Sequence, residues 1–175
     1  MKVVAVCACA LVVGIAGQAA AQDNPLTTAA RQTLGLVSTN VVKAAEQMPE
    51  EHYSFKPTPA VRSFGEILGH VANANYMICS RASGAANPST ANIEKTRTSK
   101  ADLTKAVQES FAFCDAQYAA MTDAKGGEMV DLFGRKQPRL NALQFNTAHD
   151  FEHYGNLVTY MRMKGLVPPS SQGGM

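Results

Sequence analysis

Two histidines of this sequence have the spacing of metal ligands. His149 and His153 stand four residues apart in a segment with helical periodicity, and residues four apart lie on one face of a helix. Two imidazole nitrogens on one face can converge on a single ion. A third histidine, His70, lies in another helical segment, and helix bundles commonly build metal sites from facing helices. The pair alone is also typical of ordinary core or surface histidines, so spacing leaves both interpretations open.

The segment does not match the metalloprotease motif His-Glu-x-x-His. Asp150 follows His149, and Glu152 directly precedes His153, so no glutamate stands where the general base is needed. Glu152 points about 100° away from the histidine face and is expected in solvent. His52 has no partner at ligand spacing and is interpreted as structural.

Three further residues can orient a ligand or a bound water near the histidines. Asn146 and Asn156 lie three residues outside the histidine pair, where an amide can reach the same face or serve helix packing instead. Glu66 lies one turn before His70, but a helix-capping role already explains it. Tyr160 is expected to support the end of the bundle or to line the mouth of a pocket.

Four long amphipathic segments must position these residues. The first, second and fourth are predicted at residues 25–48, 63–84 and 139–164. The third begins at Ser99, has its apolar stripe up to Tyr118, and lies in a region that ends at Gly126-Gly127. A crossover connection runs from Pro49 to Val61, residues 85–98 form an exposed loop, and residues 128–134 form an extended turn or small hairpin. The pattern predicts an all-α fold, a four-helix bundle with a crossover connection.

The N-terminus has the three parts of a secretory signal peptide. Lys2 precedes a short apolar run from Val3 to Ala16, and small residues follow at Ala19 and Ala21. Cleavage after Ala21 leaves residues 22–169 as one bundle domain, with residues 170–175 as a disordered tail. The mature protein is expected to be exported, periplasmic or secreted, without stable membrane insertion. An uncleaved N-terminal anchor remains the alternative.

Net charge and cysteine content indicate which classes of binding partner to expect. The formal net charge is +2 with both signs scattered along the chain, which gives no reason to expect nucleic-acid binding. Cys79 and Cys114 can form a disulfide in an oxidising compartment or serve as two small core residues. A small-molecule substrate is expected but its identity is open, and an exposed apolar helix face would allow a homodimer.

The motifs together resemble the DinB-like family of bacterial metal-binding bundles. The resemblance rests on residues 63–70, 149–156 and 160–169, and it spans nearly the whole mature chain. In that family one histidine of the second helix and a His-x-x-x-His pair of the last helix bind a divalent metal. The resemblance therefore implies a site formed by His70, His149 and His153. The family name comes from damage-inducible genes and does not imply DNA binding.

The resemblance indicates which residues form a site more clearly than it indicates a reaction. The family includes enzymes similar to thiol-dependent transferases and isomerases, but small cytosolic thiols are not expected outside the cell. Three nitrogen ligands leave a coordination position open, which favours a metal-dependent hydrolase or transferase. The alternatives are a non-catalytic binding protein with a structural ion and an interaction module with incidental histidines. Zn is the default ion, with Ni, Fe and Mn as alternatives.

Overall fold

The computed structural model describes residues 23–173, and its four long helices confirm the predicted all-α bundle. The elements are α1 (Pro25–Gln47), α2 (Phe64–Ser83), α3 (Ile93–Thr96), α4 (Lys100–Ala119), α5 (Asp123–Gly126), β1 (Met129–Leu132), β2 (Arg135–Pro138) and α6 (Arg139–Met163). The long helices α1 and α2 each pack against both α4 and α6, so they are diagonal neighbours. The crossover between them must therefore span an end of the bundle. The signal peptide predicted for residues 1–21 lies outside the described residues.

Apolar residues at helical spacing form the core along the bundle axis. On α1, Leu34, Val37 and Val41 are at most 1% exposed, which follows from their recurrence every three to four residues. The disulfide between Cys79 and Cys114, with a Cα–Cα distance of 5.4 Å, joins α2 to α4 inside this core. In the part of the chain that the structure describes, no helix is long and apolar enough to span a membrane.

The helix that carries His70 has well-defined ends. The Ser63 side chain accepts a hydrogen bond from the Glu66 amide, and the Glu66 carboxylate accepts one from the Ser63 amide, which completes a capping box. At the other end, Gly84 adopts a left-handed conformation with φ 83°, which favours glycine because it has no Cβ. These caps fix the start and end of α2 as the sequence predicts.

Two connections contain more regular structure than the sequence-based prediction gave them. The exposed loop predicted for residues 85–98 contains the helical turn α3. The turn or hairpin predicted for residues 128–134 is an antiparallel hairpin extending to Pro138, with Met129 paired to Pro138. Phe133 and Gly134 both have positive φ at its tip, the conformation that two-residue hairpin turns require.

The disordered tail predicted for residues 170–175 is wrong for the residues that the structure describes. Residues Pro169–Ser171 form a 3₁₀ turn, and Pro169 is buried. The Tyr154 hydroxyl donates to Ser170 Oγ at 2.9 Å, and the side chain of Gln172 pairs with that of Gln47. Side-chain hydrogen bonds to two long helices therefore hold a segment whose composition alone suggests disorder.

Candidate metal centre

The two helices α2 and α6 bring His70, His149 and His153 together, and we call these three residues the histidine site. His149 Nε2 lies 3.1 Å from His70 Nε2 and 3.0 Å from His153 Nε2. The four-residue spacing on α6 places its two rings one above the other, and α2 supplies the third ring from across the bundle. The arrangement unites residues 79 positions apart in sequence.

The donor geometry of the histidine site fits a divalent metal ion. In a tetrahedral zinc site with Zn–N bonds of about 2.0–2.1 Å, the ligand nitrogens stand about 3.3 Å apart. The observed separations of 3.0 and 3.1 Å come close to that spacing. Among the described residues, these three form the one group of three or more His, Cys, Asp or Glu ligands close enough for a single ion. The donor set is therefore three imidazoles.

The surroundings keep the imidazoles neutral, which is the form that binds metals. Burial, together with the smaller effect of the neighbouring imidazoles, lowers the pKa of His149 to about 4 and that of His153 to about 3. Burial and the Arg62 charge lower the pKa of His70. Each ring therefore has an unprotonated nitrogen near neutral pH, so an ion does not have to displace a proton from an imidazolium.

A solvent-accessible pocket of about 560 Å³ opens beside the histidine site. His153, Asn156 and Tyr160 of α6 form part of its wall, and Arg62 and Glu94 form another part. The pocket size lies within the range of small-molecule sites. The Tyr160 hydroxyl donates to the Arg62 carbonyl at 2.9 Å, so Tyr160 both lines the pocket and ties the end of the crossover to α6.

The carboxylate nearest to the histidine site is Glu94, which the sequence placed in an exposed loop. Glu94 Oε2 lies 3.3 Å from His70 Nδ1, and Glu94 Oε1 accepts from Arg62 Nε at 3.0 Å. A Cβ at Gly69 would lie 2.6 Å from the Glu94 Cα, so only glycine lets α3 approach α2 this closely. A glycine beside a histidine inside a helix was the available sequence signal.

The residues predicted to orient a ligand take different roles in the structure. Asn156 lines the pocket next to His153. Asn146 is fully buried, and its amide contacts Asn75 and Asp150 rather than a histidine. Glu66 also lines the pocket, while its carboxylate caps α2 through the Ser63 amide at 2.7 Å. Of the two roles that the spacing left open for Asn146, the structure shows helix packing, and it confirms the capping role of Glu66. The carboxylate beside His70 is that of Glu94.

The remaining histidine and acid near the motif stay apart from the site. His52 ends the 3₁₀ turn Glu50–His52 in the crossover and is not part of the histidine group. Glu152 is solvent-exposed on α6, as its direction on the helix predicts, and it lines the outer part of the pocket. No glutamate therefore occupies the place of a metalloprotease base on α6.

A second polar group lies on α2, α4 and α6 and is closed to solvent. We call its members, Asn75, Ser110, Asn146 and Asp150, the buried polar cluster. All four residues are fully buried. The Asn75 amide lies 2.8 Å from the Asn146 amide nitrogen, which is 3.0 Å from Asp150 Oδ2. With its nitrogen turned toward the Asp150 carboxyl group at 3.2 Å, the Asn75 side-chain oxygen accepts from Ser110 Oγ at 3.1 Å. Burial raises the pKa of Asp150 well above its usual range.

Comparisons with known proteins agree with this architecture. A family model described as the DinB superfamily matches residues 34–157. YjoA of Bacillus subtilis (strain 168), an uncharacterised protein, is 30% identical over 125 residues, which are 69% of this chain and 79% of the relative. A crystal structure of a DinB-like protein from Bacillus cereus ATCC 10987 gives a TM-score of 0.72 at 22% identity, over 85% of this chain and 97% of that chain. The Bacillus subtilis YjoA structure gives 0.68 at 23% identity, over 84% and 99%.

Proposed function

This chain belongs to the DinB superfamily, and we propose that it is an exported metal-dependent hydrolase or transferase. One divalent ion, zinc by default, would be held by His70, His149 and His153. The observation that carries the proposal is the convergence of three neutral imidazole nitrogens beside a pocket that is open to solvent. The family resemblance supports the same three positions.

The number of ligands favours a catalytic site over a closed structural one. Structural zinc sites have four protein ligands, whereas catalytic sites have three and keep one position for water or substrate. Glu94 lies against Nδ1 of His70, while the Nε2 of that ring faces His149. This carboxylate is therefore on the far side of the ring and does not act as a fourth ligand. When bound, the ion would supply Lewis-acid chemistry at its open position.

The side chains of this pocket have distinct parts in binding a substrate. Arg62 carries a guanidinium at the pocket wall, where it can bind an anionic or carbonyl oxygen of a small molecule. Asn156 offers an amide that can orient the same molecule by hydrogen bonding. The pocket volume of about 560 Å³ is suited to a small substrate rather than to a folded partner.

Export is supported by two independent features. The sequence of residues 1–21 has the composition of a cleaved signal peptide. The disulfide between Cys79 and Cys114 is of a kind that persists in oxidising compartments. Fractionation of the native host, with mass measurement of the mature N-terminus, tests this part of the proposal. A protein that starts at Gln22 outside the cytoplasm is expected, and an unprocessed cytoplasmic chain would contradict export.

The metal assignment is tested first by elemental analysis of the protein purified from its native compartment. One equivalent of a divalent metal is expected in the wild type, and much less in His149→Ala. Substitution with Co²⁺ then tests the open position, since its visible spectrum changes when a small ligand such as azide binds. An unchanged spectrum, with a fourth protein ligand in a metal-bound structure, would reject catalysis and favour the structural ion.

A further inference from the structure

The three imidazoles of the histidine site differ at Nδ1, the ring nitrogen that does not face a neighbouring imidazole, since Nε2 has that position in all three rings. Nδ1 of His149 and Nδ1 of His153 are buried and have no hydrogen-bond partner among residues 23–173. Nδ1 of His70 lies 3.3 Å from Glu94 Oε2. A carboxylate at Nδ1 favours the tautomer with the proton on that nitrogen. The lone pair of His70 is then left on Nε2, the atom that faces His149.

The position of Glu94 depends on how α3 contacts α2. Asn73 Oδ1 accepts from the Ile93 amide at 2.9 Å, and Asn73 Nδ2 donates to Asn92 Oδ1 at 3.1 Å. The Ile93 side chain is 6% exposed, so it anchors α3 in the core. Gly69 provides the close approach, because a Cβ there would lie 2.6 Å from the Glu94 Cα and 2.8 Å from its amide nitrogen. The contact thus forms one residue before His70.

The second carboxylate oxygen of Glu94 is held as well. Arg62 Nε lies 3.0 Å from Glu94 Oε1, and Lys95 Nζ lies 3.8 Å from the same oxygen. The Glu94 side chain is 13% exposed, so these contacts restrict its rotation. One oxygen therefore faces His70 while the other faces two cations.

We propose that Glu94 is a positioning residue for the histidine site, delivered by α3 and acting through His70. The assignment rests on the proposed metal function. Glu94 fixes the tautomer and the ring orientation of His70, and Gly69 is required because it brings α3 close enough. Hydrogen-bond partners of this kind commonly change metal affinity by about 10–100-fold when they are removed.

The first experiment measures Zn²⁺ affinity by competition with a chromophoric chelator. Glu94→Ala should bind about 10–100-fold more weakly than wild type while still binding one ion, and Glu94→Asp should recover part of that loss. The matched control is Glu109→Ala, because Glu109 is a solvent-exposed glutamate on α4 that lies 3.9 Å from Lys105 Nζ and is not part of the histidine site. Equal affinity of wild type and Glu94→Ala would overturn the assignment.

A second measurement excludes a merely structural role for Glu94. In the metal-free protein, ¹⁵N imidazole shifts should show His70 protonated on Nδ1 in wild type and shifted toward Nε2 protonation in Glu94→Ala. An unchanged tautomer would overturn the proposal even if stability fell. Failure of the proposed function has a different signature, since wild type would then bind no stoichiometric Zn²⁺. The tautomer measurement still tests Glu94 in that case.

A double-mutant cycle tests whether Gly69 acts through Glu94. Gly69→Ala should weaken Zn²⁺ binding in the wild-type background and add little in the Glu94→Ala background, because residues that act through one contact are not additive. Asn73→Ala, which loosens α3 without a steric clash, replaces Gly69→Ala if that variant does not fold. Fully additive losses would contradict the proposed link between α3 and the ion.

Discussion

The histidine site and the buried polar cluster share the helices α2 and α6, and the cluster adds Ser110 of α4, yet the two regions satisfy their polar atoms in opposite ways. Asn75 and Asn146 use their side chains to bond each other and their neighbours, with no solvent contact. The histidine site instead directs three acceptor nitrogens at one point and leaves Nδ1 of His149 and His153 without partners. Buried polar groups that hydrogen-bond to one another stabilise a fold, whereas nitrogen lone pairs that converge on one point can bind a metal ion.

We predict that substitutions in the two regions have separate effects, one on metal binding and the other on stability. Removing a residue of the histidine site should cost metal affinity, and removing a residue of the buried polar cluster should cost free energy of unfolding. A variant that lowered the free energy of metal binding and the free energy of unfolding by similar amounts would contradict this separation.

The largest effect is expected for His70→Ala, His149→Ala and His153→Ala. Each removes one of three ligands, so Zn²⁺ affinity should fall on the order of 1000-fold, or about 4 kcal/mol. Elemental analysis and chelator competition measure the loss. His52→Ala is the matched control, because His52 lies in the crossover and should bind Zn²⁺ like wild type. Equal metal retention in all four variants would refute the site.

The disulfide beside the buried polar cluster gives the next largest effect. Asn146 Nδ2 lies 3.8 Å from Cys114 Sγ, so the bond between Cys79 and Cys114 belongs to the stability region. Replacing both cysteines with serine should lower the free energy of unfolding by about 2–4 kcal/mol, since the bond closes a chain segment with a separation of 35 residues. Denaturant unfolding measures this loss. Zn²⁺ stoichiometry should stay at one ion, and loss of the ion would join the two regions.

A smaller effect is expected for Asn146→Ala. The substitution removes an amide that contacts both Asn75 and Asp150 in a fully buried place, and the loss of these contacts should cost about 2 kcal/mol of unfolding free energy. Asn141→Ala, on an exposed turn of the same helix, is the control and should change stability little. If Asn146→Ala weakened Zn²⁺ binding more than it lowered stability, Asn146 would belong to the histidine site as its spacing suggested.

The sequence predicted the long helices and their caps because these depend on local patterns. Helical spacing, the Ser63–Glu66 capping box and Gly84 each act within a few residues. The histidine site needed more, since helical spacing joins only His149 and His153. Resemblance to a family supplied His70, whose contact with them spans the bundle.

The roles of Asn146 and Glu94 could not be predicted from the sequence because both depend on depth in the bundle and on tertiary contacts. Asn146 is three residues from His149, which is about 4.5 Å along the helix axis, and that distance moves its amide from the pocket into the core. Glu94 lies on a helix of four residues, too short for a periodic signal. Its contact with His70 depends on the absence of a Cβ at Gly69, and spacing along the chain does not show that approach.

The smallest predicted effect is a pH dependence that has opposite signs in the two regions. Burial lowers the pKa of His149 to about 4 and that of His153 to about 3 in the folded protein, against 6.5 ordinarily. The unfolded chain therefore binds more protons between about pH 6.5 and 4, so the histidine site loses stability as pH falls through that window. Burial raises the pKa of Asp150 in the folded protein. The stability that this carboxyl group contributes is therefore lost as the pH rises from the ordinary aspartate pKa through the raised one.

Comparing the metal-free wild type with metal-free His149→Gln isolates the histidine contribution, because Asp150 is the same in both. The variant lacks a group that is held neutral against protonation, so its stability should fall less than that of wild type between pH 6.5 and 4. The difference should stay below the Asn146→Ala effect, since the imidazoles keep solvent contact that screens their charge. Denaturant unfolding at several pH values measures it. A wild type that lost no more stability than His149→Gln on acidification would show that the imidazoles are not held neutral by burial.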